Sequence, residues 1–262
     1  MNIVVCVKQV PNATDVRVDP ETNALIRDGV ENILNPFDEN AIEAALALRD
    51  AHGGKVTVIC MGPPHADAIL RHALAMGADE AVLLTDPASR GSDTLATSYT
   101  LALMVRKVGD FNLVICGKQA IDGDTGQVGP GLAERLGIPQ VTFAIDLELS
   151  DGKLRARRVL DDFFEVLEVR LPALVTVLKQ ANEPRQPSMR NVLKAKRAQI
   201  TQWSLSDLEA DPKQTGFDGS PTHVIQVWPP KRRSGGQVLE GSVDEIVEEL
   251  ANTIKEMNLA AG

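Results

Sequence analysis

Four short apolar runs, Ile3 to Val7, Val56 to Met61, Ala81 to Leu84 and Leu113 to Cys116, punctuate the first half of the chain, with helical patterns between them. Strands this uniformly apolar need cover on both faces, and strands that alternate with helices are joined by crossovers. The pattern therefore predicts an α/β fold, a mostly parallel sheet with helices on both faces. The expected helices are Ala41 to Arg49, Ala66 to Met76 and Thr94 to Lys107. Ahead of the first, Asn35 and Asp38 are alternative caps around Pro36, which suits an opening turn. The second ends at Gly77 and the third follows Ser92-Asp93.

Beyond Ile145 the pattern changes. Ile145 to Leu149, the turn Ser150-Asp151-Gly152 and Lys153 to Val159 read as a hairpin that Phe164 to Arg170 extends, so the sheet is expected to end antiparallel. Leu174 to Leu178 reads as one more buried strand. Residues 182–241 are rich in Pro, Gly, Lys and Arg, with short apolar runs around Trp203 and at Val224 to Val227 to anchor them, and an excursion this long is usually functional or rests on a partner. Val243 to Met257 reads as an amphipathic helix with Ile246, Leu250, Ile254 and Met257 on one face. The expected division is a nucleotide-binding domain over residues 1–181 and a partner-docking loop, extended arm and C-terminal helix over 182–262.

Charge narrows the function classes. A net charge of −9 argues against a nucleic-acid binder, whose phosphate contacts need a basic face. No apolar run approaches the roughly 20 residues of a membrane span, and MNIVVCVKQV is too short and too β-branched for a signal-peptide core. The expectation is a cytoplasmic protein with no membrane insertion. Cys6, Cys60 and Cys116 lie singly in β-branched runs, without CxxC or Cys/His spacing, so neither a metal site nor a disulfide is expected.

The segment that carries chemistry is GKQAIDGDTGQVGPG, Gly117 to Gly131. It leaves a predicted strand at the carboxyl end, where open α/β sheets bind ligands, and leads into a helix from about Val128 to Leu136 closed by Gly137. Its glycines let backbone N–H groups approach a ligand, and the helix N-terminus adds unpaired donors, a combination that favours phosphate. A negative side chain at Gly129 is expected to abolish that binding. Asp122 and Asp124 are read as caps for loop amides or acceptors for ribose hydroxyls, while Thr125 and Gln127 can donate directly. This is neither a Walker motif nor GxGxxG. Cys6 to Pro11, Asn35 to Asp38, Met61 to Pro64 and Ser92 to Ser98 fall at the same end of the sheet. The hydroxyls of the last segment read equally as ordinary caps or as ligands to a second phosphate. His52, His65, His72 and His223 stand without a paired carboxylate or nucleophile, so no catalytic side chain is assigned. Cofactor chemistry, with the protein supplying position and electrostatics, fits that absence.

At this point the chain resembles a known family, the small (β) subunit of electron transfer flavoproteins. The resemblance rests on VCVKQVPN at Val5 to Asn12, NPFDENAIEAAL at Asn35 to Leu46, MGPP at Met61 to Pro64, LRHALAMGADEA at Leu70 to Ala81, the glycine loop, LPALVTV at Leu171 to Val177 and NEPRQPSMRNVLKAKR at Asn182 to Arg197. It implies a nucleotide-binding fold of the adenine nucleotide alpha hydrolase-like kind with an extended C-terminal arm, in a heterodimer with an alpha subunit that holds one FAD. It further implies a nucleotide site formed by Cys6, Asn35, Phe37, Asp38, Met61, Ala120, Ile121, Asp122, Gly123, Asp124, Thr125, Gln127, Val128 and Gly129, with Phe37 also near the alpha subunit's flavin.

VKQVPN, GSDTLATS at Gly91 to Ser98 and DGDTGQVGP at Asp122 to Pro130 resemble the electron-bifurcating group of that family. That group carries a second FAD in the beta subunit, and Thr94 and Thr97 are then implied to contact its diphosphate or ribityl chain. NADH is implied as the donor, with one electron passing through the alpha subunit's FAD to a high-potential acceptor and the other to ferredoxin or flavodoxin. The alternative is a conventional carrier with structural AMP, shuttling electrons from acyl-CoA dehydrogenases to the quinone pool. By the same resemblance Met189, Arg190, Lys194 and Lys196 dock on a dehydrogenase or quinone-reducing flavoprotein, and Gly219 to Pro230 lies against the alpha subunit. An ATP-hydrolysing or adenylating enzyme is a further alternative, weakened by the missing Walker lysine, and a non-enzymatic nucleotide sensor is another.

Overall fold

The computed structural model describes residues 1–12, 17–18, 25–26, 31–225, 236 and 238–257. The chain forms two compact units, Met1–Val227 and Trp228–Gly262. In the first, strands β1 (Asn2–Val7), β2 (Gln9–Pro11), β3 (Arg17–Val18), β4 (Leu25–Ile26) and β5 (Asn32–Leu34) precede helix α1 (Pro36–His52). Then follow β6 (Lys55–Met61), α2 (Asp67–Met76), β7 (Glu80–Leu84), α3 (Thr94–Val108), β8 (Leu113–Gly117) and α4 (Val128–Leu136). The remainder is β9 (Gln140–Ser150), β10 (Lys153–Val159), β11 (Phe164–Arg170), β12 (Ala173–Val177), α5 (Met189–Arg197) and β13 (Thr201–Trp203). The second unit contains α6 (Val243–Glu256), which carries a Ser242/Glu245 capping box.

Among the described residues nine strands make the main sheet, in the order β11-β10-β9-β12-β8-β1-β6-β7-β13. Along that order the pairings β9-β12-β8-β1-β6-β7-β13 are all parallel, and the antiparallel pairings are those of β10 with β9 and β11, as the hairpin signals predict, so β10 alone of these strands runs against the rest. The period of two explains the layers. Ile3, Val5 and Val7 join Val56, Val58, Leu113 and Ile115 in a core under α1 and α2, while Val4, Cys6, Ile59 and Val114 face Leu101, Met104 and Leu132 of α3 and α4. Both faces are thus covered, which is why these strands lack polar alternation.

Several local expectations change. Helix α1 is longer than its apolar stretch, and although Asn35 occupies the cap position, neither it nor Asp38 caps the helix through its side chain. Strand β9 starts five residues before Ile145, because Phe143, at φ 61°, shifts the register between β9 and β12 and hides the alternation. Residues 182–225 are more structured than their composition suggests: α5 packs on α2, and β13 extends the sheet beyond β7. Val224 and Ile225 are exposed and form no strand, and Val227 lies outside the described residues. Among the described residues no helix is long and apolar enough to cross a membrane.

Candidate functional site

The carboxyl ends of β8, β1, β6 and β7 open into one crevice of about 880 Å³, bounded by the glycine loop, the start of α3 and residues 85–93. It lies near the upper end of the roughly 300–1,000 Å³ typical of small-molecule sites. Its floor includes Cys6 and Cys116, register partners on adjacent strands. The Cys6 thiol is pushed well above its ordinary range by its contact with Cys116 and by burial, and burial pushes the Cys60 thiol up to about 12. The cysteines are free and buried, small core residues and not nucleophiles.

Two residues at the start of α1 shape the mouth. The Asn35 side chain donates to the Gln119 carbonyl at 2.8 Å and accepts the Ile121 N–H at 3.3 Å, so it straps the glycine loop instead of capping its own helix. Asp38 accepts the Lys8 N–H at 2.8 Å and a backbone bond from Gly117. Burial raises the Asp38 pKa to about 7 against the lowering effect of these bonds. The ends of β1 and β8 are therefore tied to one buried carboxyl.

The loop's acidic residues have protein partners. Asp122 pairs with Lys8 Nζ at 2.7 Å, and Asp124, at φ 53°, accepts from the Gln119 side chain. Only Asp124 lines the crevice; Asp122, Ile121 and Phe37 stand outside it, Phe37 beneath the Lys179 ammonium at 5.0 Å. The glycines also divide by task. A Cβ on Gly129 would overlap Thr176 of β12, and one on Gly131 would sit 2.6 Å from Ser98 Oγ, so both serve close packing of α4. A charge at Gly129 is consequently not a clean test of phosphate binding, because it would displace the helix first. Gly123, with open space where a side chain would stand, is the better position.

The donor set fits an anionic, hydroxyl-rich ligand. Gln127 makes no side-chain cap on α4 and the helix has no acid in its first turn, which leaves its opening N–H groups for an anion. Thr94 Oγ1 bonds Gln127 Oε1 at 2.9 Å and joins the α3 and α4 termini. Thr97 and Thr125 line the crevice and make no hydrogen bond through their hydroxyls to a described residue. Of the other expected residues, Met61, Ala120, Gly123 and Val128 line it as well. Asp93 caps α3 through Leu95 and Ala96, so the cap reading holds for that residue while the threonines stay available. All four histidines are exposed, but His72 does have a carboxylate, Glu39, at 3.6 Å.

Residues that the sequence reading did not single out complete the picture. Lys8 positions the loop, and Arg185 grips Glu43 through Nε at 2.8 Å and a second nitrogen at 2.9 Å, with Asp50 at 2.8 Å. Arg71 accepts no role from its sequence pattern, yet it donates to the carbonyls of Ala195 and Ala198 at the end of α5. Both ends of the segment from Arg185 to Ala198 are thereby fixed, and Met189, Arg190, Lys194 and Lys196 remain exposed upon it. Long-range pairing of this kind leaves no local signal except charge complementarity.

Residues 22–208 match the model of the electron transfer flavoprotein domain. The chain is 46% identical over 255 residues to the electron transfer flavoprotein subunit beta of Thermoanaerobacterium thermosaccharolyticum, covering 97% of this chain and 98% of that one. It is 45% identical over 261 residues to the caffeyl-CoA reductase-Etf complex subunit CarD of Acetobacterium woodii, covering 99% and 100%. With protein FixA of Azorhizobium caulinodans it shares 49% identity over 242 residues, covering 89% and 86%.

Proposed function

We propose, from the premise that the chain belongs to the electron transfer flavoprotein family as a beta subunit, that its crevice holds a second FAD and takes part in electron bifurcation. Electron transfer in company with an alpha subunit is the family's shared role. The observation that carries the finer reading is the crevice itself. Its volume of about 880 Å³ exceeds what a mononucleotide needs, and it runs across the ends of four strands, roughly 14 Å between the outermost two.

A flavin bound there supplies the chemistry of accepting two electrons from NADH and releasing them singly, toward the alpha subunit's FAD and toward a low-potential acceptor such as ferredoxin or flavodoxin. The chain's own residues bind and orient. The opening N–H groups of α4 would hold phosphate, and the Thr94, Thr97 and Thr125 hydroxyls would serve the diphosphate and polyol parts of the ligand. Asn35 and Asp38 hold the loop and strand ends in place from below.

Outside the crevice, α5 presents Met189 and Leu193 among Arg190, Lys194 and Lys196. This combination suits an apolar socket with an acidic rim on a partner dehydrogenase or quinone-reducing flavoprotein. The Acetobacterium relative is named as a subunit of a reductase complex, which supports a partner of that kind. The deciding measurement is nucleotide content of the purified heterodimer after acid extraction. Two FAD per heterodimer are expected; one FAD and one AMP would overturn the reading in favour of the conventional carrier.

A further inference from the structure

The crevice has two different ends. At β8 it is closed by the glycine loop and the α4 terminus, which suffice for one nucleotide phosphate. Beyond β7 its lining comes from something else, a strap formed by residues 215–224 that contributes Thr222 and Val224. The strap is seated on the loop between β7 and α3 by backbone-directed bonds. Gly216, at φ +60°, lies so close that a Cβ would meet the Ala88 carbonyl, and its N–H donates to Ser92 Oγ at 3.1 Å. Ser220 is buried; its hydroxyl accepts the Asp93 N–H at 2.8 Å and donates to the Gly216 carbonyl at 2.6 Å. The Thr222 N–H donates to Asp93 Oδ2 at 3.0 Å.

Asp93 therefore does two things at once. One carboxylate oxygen caps the amides of Leu95 and Ala96 at the start of α3, and the other holds the strap. A ring stack between Phe217 and His223, 4.2 Å between centroids, braces the strap within itself. The start of α3 is joined to the glycine loop by the bond from Thr94 to Gln127 and by a second from Ser98 Oγ to the Val128 carbonyl, and neither involves the strap itself. The end of the crevice that a mononucleotide does not require thus has its own, separately built wall.

We infer that the strap, held by Asp93 and Ser220, is the element that selects a dinucleotide over a mononucleotide in this crevice. This rests on the FAD reading above. A ligand confined to the glycine loop gains nothing from the strap, whereas a dinucleotide that continues past Thr94 and Thr97 is enclosed by it and loses its second wall when the strap is released. Asp93 and Ser220 are positioning residues, acting through Thr222 and Val224.

The test uses Ser220→Ala and Asp93→Asn in the heterodimer. Alanine keeps the shape at 220 but removes the bridging hydroxyl. Asparagine keeps an acceptor for the α3 cap and turns an NH2 toward the Thr222 N–H. Wild type and variants are equilibrated with equimolar FAD and AMP and desalted, and the nucleotide retained beyond the alpha subunit's one FAD is identified by chromatography. The expected result is a wild-type crevice that retains FAD and a fall of at least tenfold in the FAD-to-AMP ratio in both variants, with AMP binding kept. Variants that keep the wild-type ratio, or that lose both nucleotides equally, overturn the role of the strap alone. A wild type that retains AMP overturns the FAD reading and the inference together.

Discussion

The crevice and the docking segment are both held by polar contacts, but of opposite kinds. At the crevice the ties are buried and aimed at backbone: Asn35 is fully buried against Gln119 and Ile121, and Asp38 receives the N–H groups of Lys8 and Gly117. At the proposed docking segment they run through partly exposed arginines, Arg185 on the buried Glu43 and the exposed Asp50, and Arg71 on the last carbonyls of α5. Helix α5 itself buries only Ala195, and nine residues are too few to be a stable helix alone. The first region holds one geometry rigidly; the second holds a surface in place while leaving it open and locally labile. That contrast suits a ligand site and a presentation site respectively.

The sharpest way to break the contrast is at Gly117. A Cβ there would overlap the Asp38 carboxylate and stand 2.7 Å from the Phe37 carbonyl carbon, both part of the buried tie. Gly117→Ala is expected to cost about 3 kcal/mol in urea unfolding and to empty the crevice of nucleotide, as overpacking of a closely fitted site does. Gly123→Ala, six residues on in open space, is expected to stay within about 0.5 kcal/mol and retain its nucleotide. Equal behaviour of the two would mean that the crevice is not rigid.

Asp38 sharpens the same side through pH. Burial raises its pKa from 3.8 to about 7 in the folded chain, so between those values the unfolded chain releases a proton that the folded chain keeps. Folding stability therefore falls as pH rises through that window and levels off above it. Lys8, Cys6 and Cys60 are the titratable neighbours, and of these only the Lys8 cation favours the carboxylate. Asp38→Asn removes the titration. The stability of wild type relative to this variant is expected to drop by up to about 4 kcal/mol from pH 4 to pH 8, measured by denaturant unfolding. A flat difference would show that Asp38 is ionised throughout.

Much of the crevice was legible because its elements repeat a short grammar. β-branched runs such as Val56 to Met61 can only be covered strands, and Asp93 before Thr94 marks a helix start without help from elsewhere. The glycine loop declared its place at a strand end, though not the division of labour within it: Gly129 answers to Thr176, which stands 47 residues away. The function of Asn35 was hidden in the same way, since its partners are Gln119 and Ile121 and not its own helix. The docking segment was legible as composition and opaque as structure. Its helix depends on Arg71 and Glu43, and ion pairs between distant residues leave no periodicity to read.

A smaller effect on overall stability than at Gly117 or Asp38 is expected where the proposed docking segment is clamped, and it is the most telling for the comparison. Glu43→Gln keeps the side-chain shape but replaces one acceptor with a donor facing Arg185, whose guanidinium pKa Glu43 holds above its ordinary value. Because Arg185 is about a third exposed, solvent screening limits the global cost to about 1 kcal/mol or less. The local consequence is larger, since the segment between Arg185 and Arg71 has little burial of its own. Trypsin cleavage at Arg190 and Lys194 is expected to accelerate several-fold in the variant, with nucleotide content and the urea midpoint almost unchanged. If cleavage and nucleotide loss rose together, the two regions would be one cooperative unit and the contrast between them would collapse.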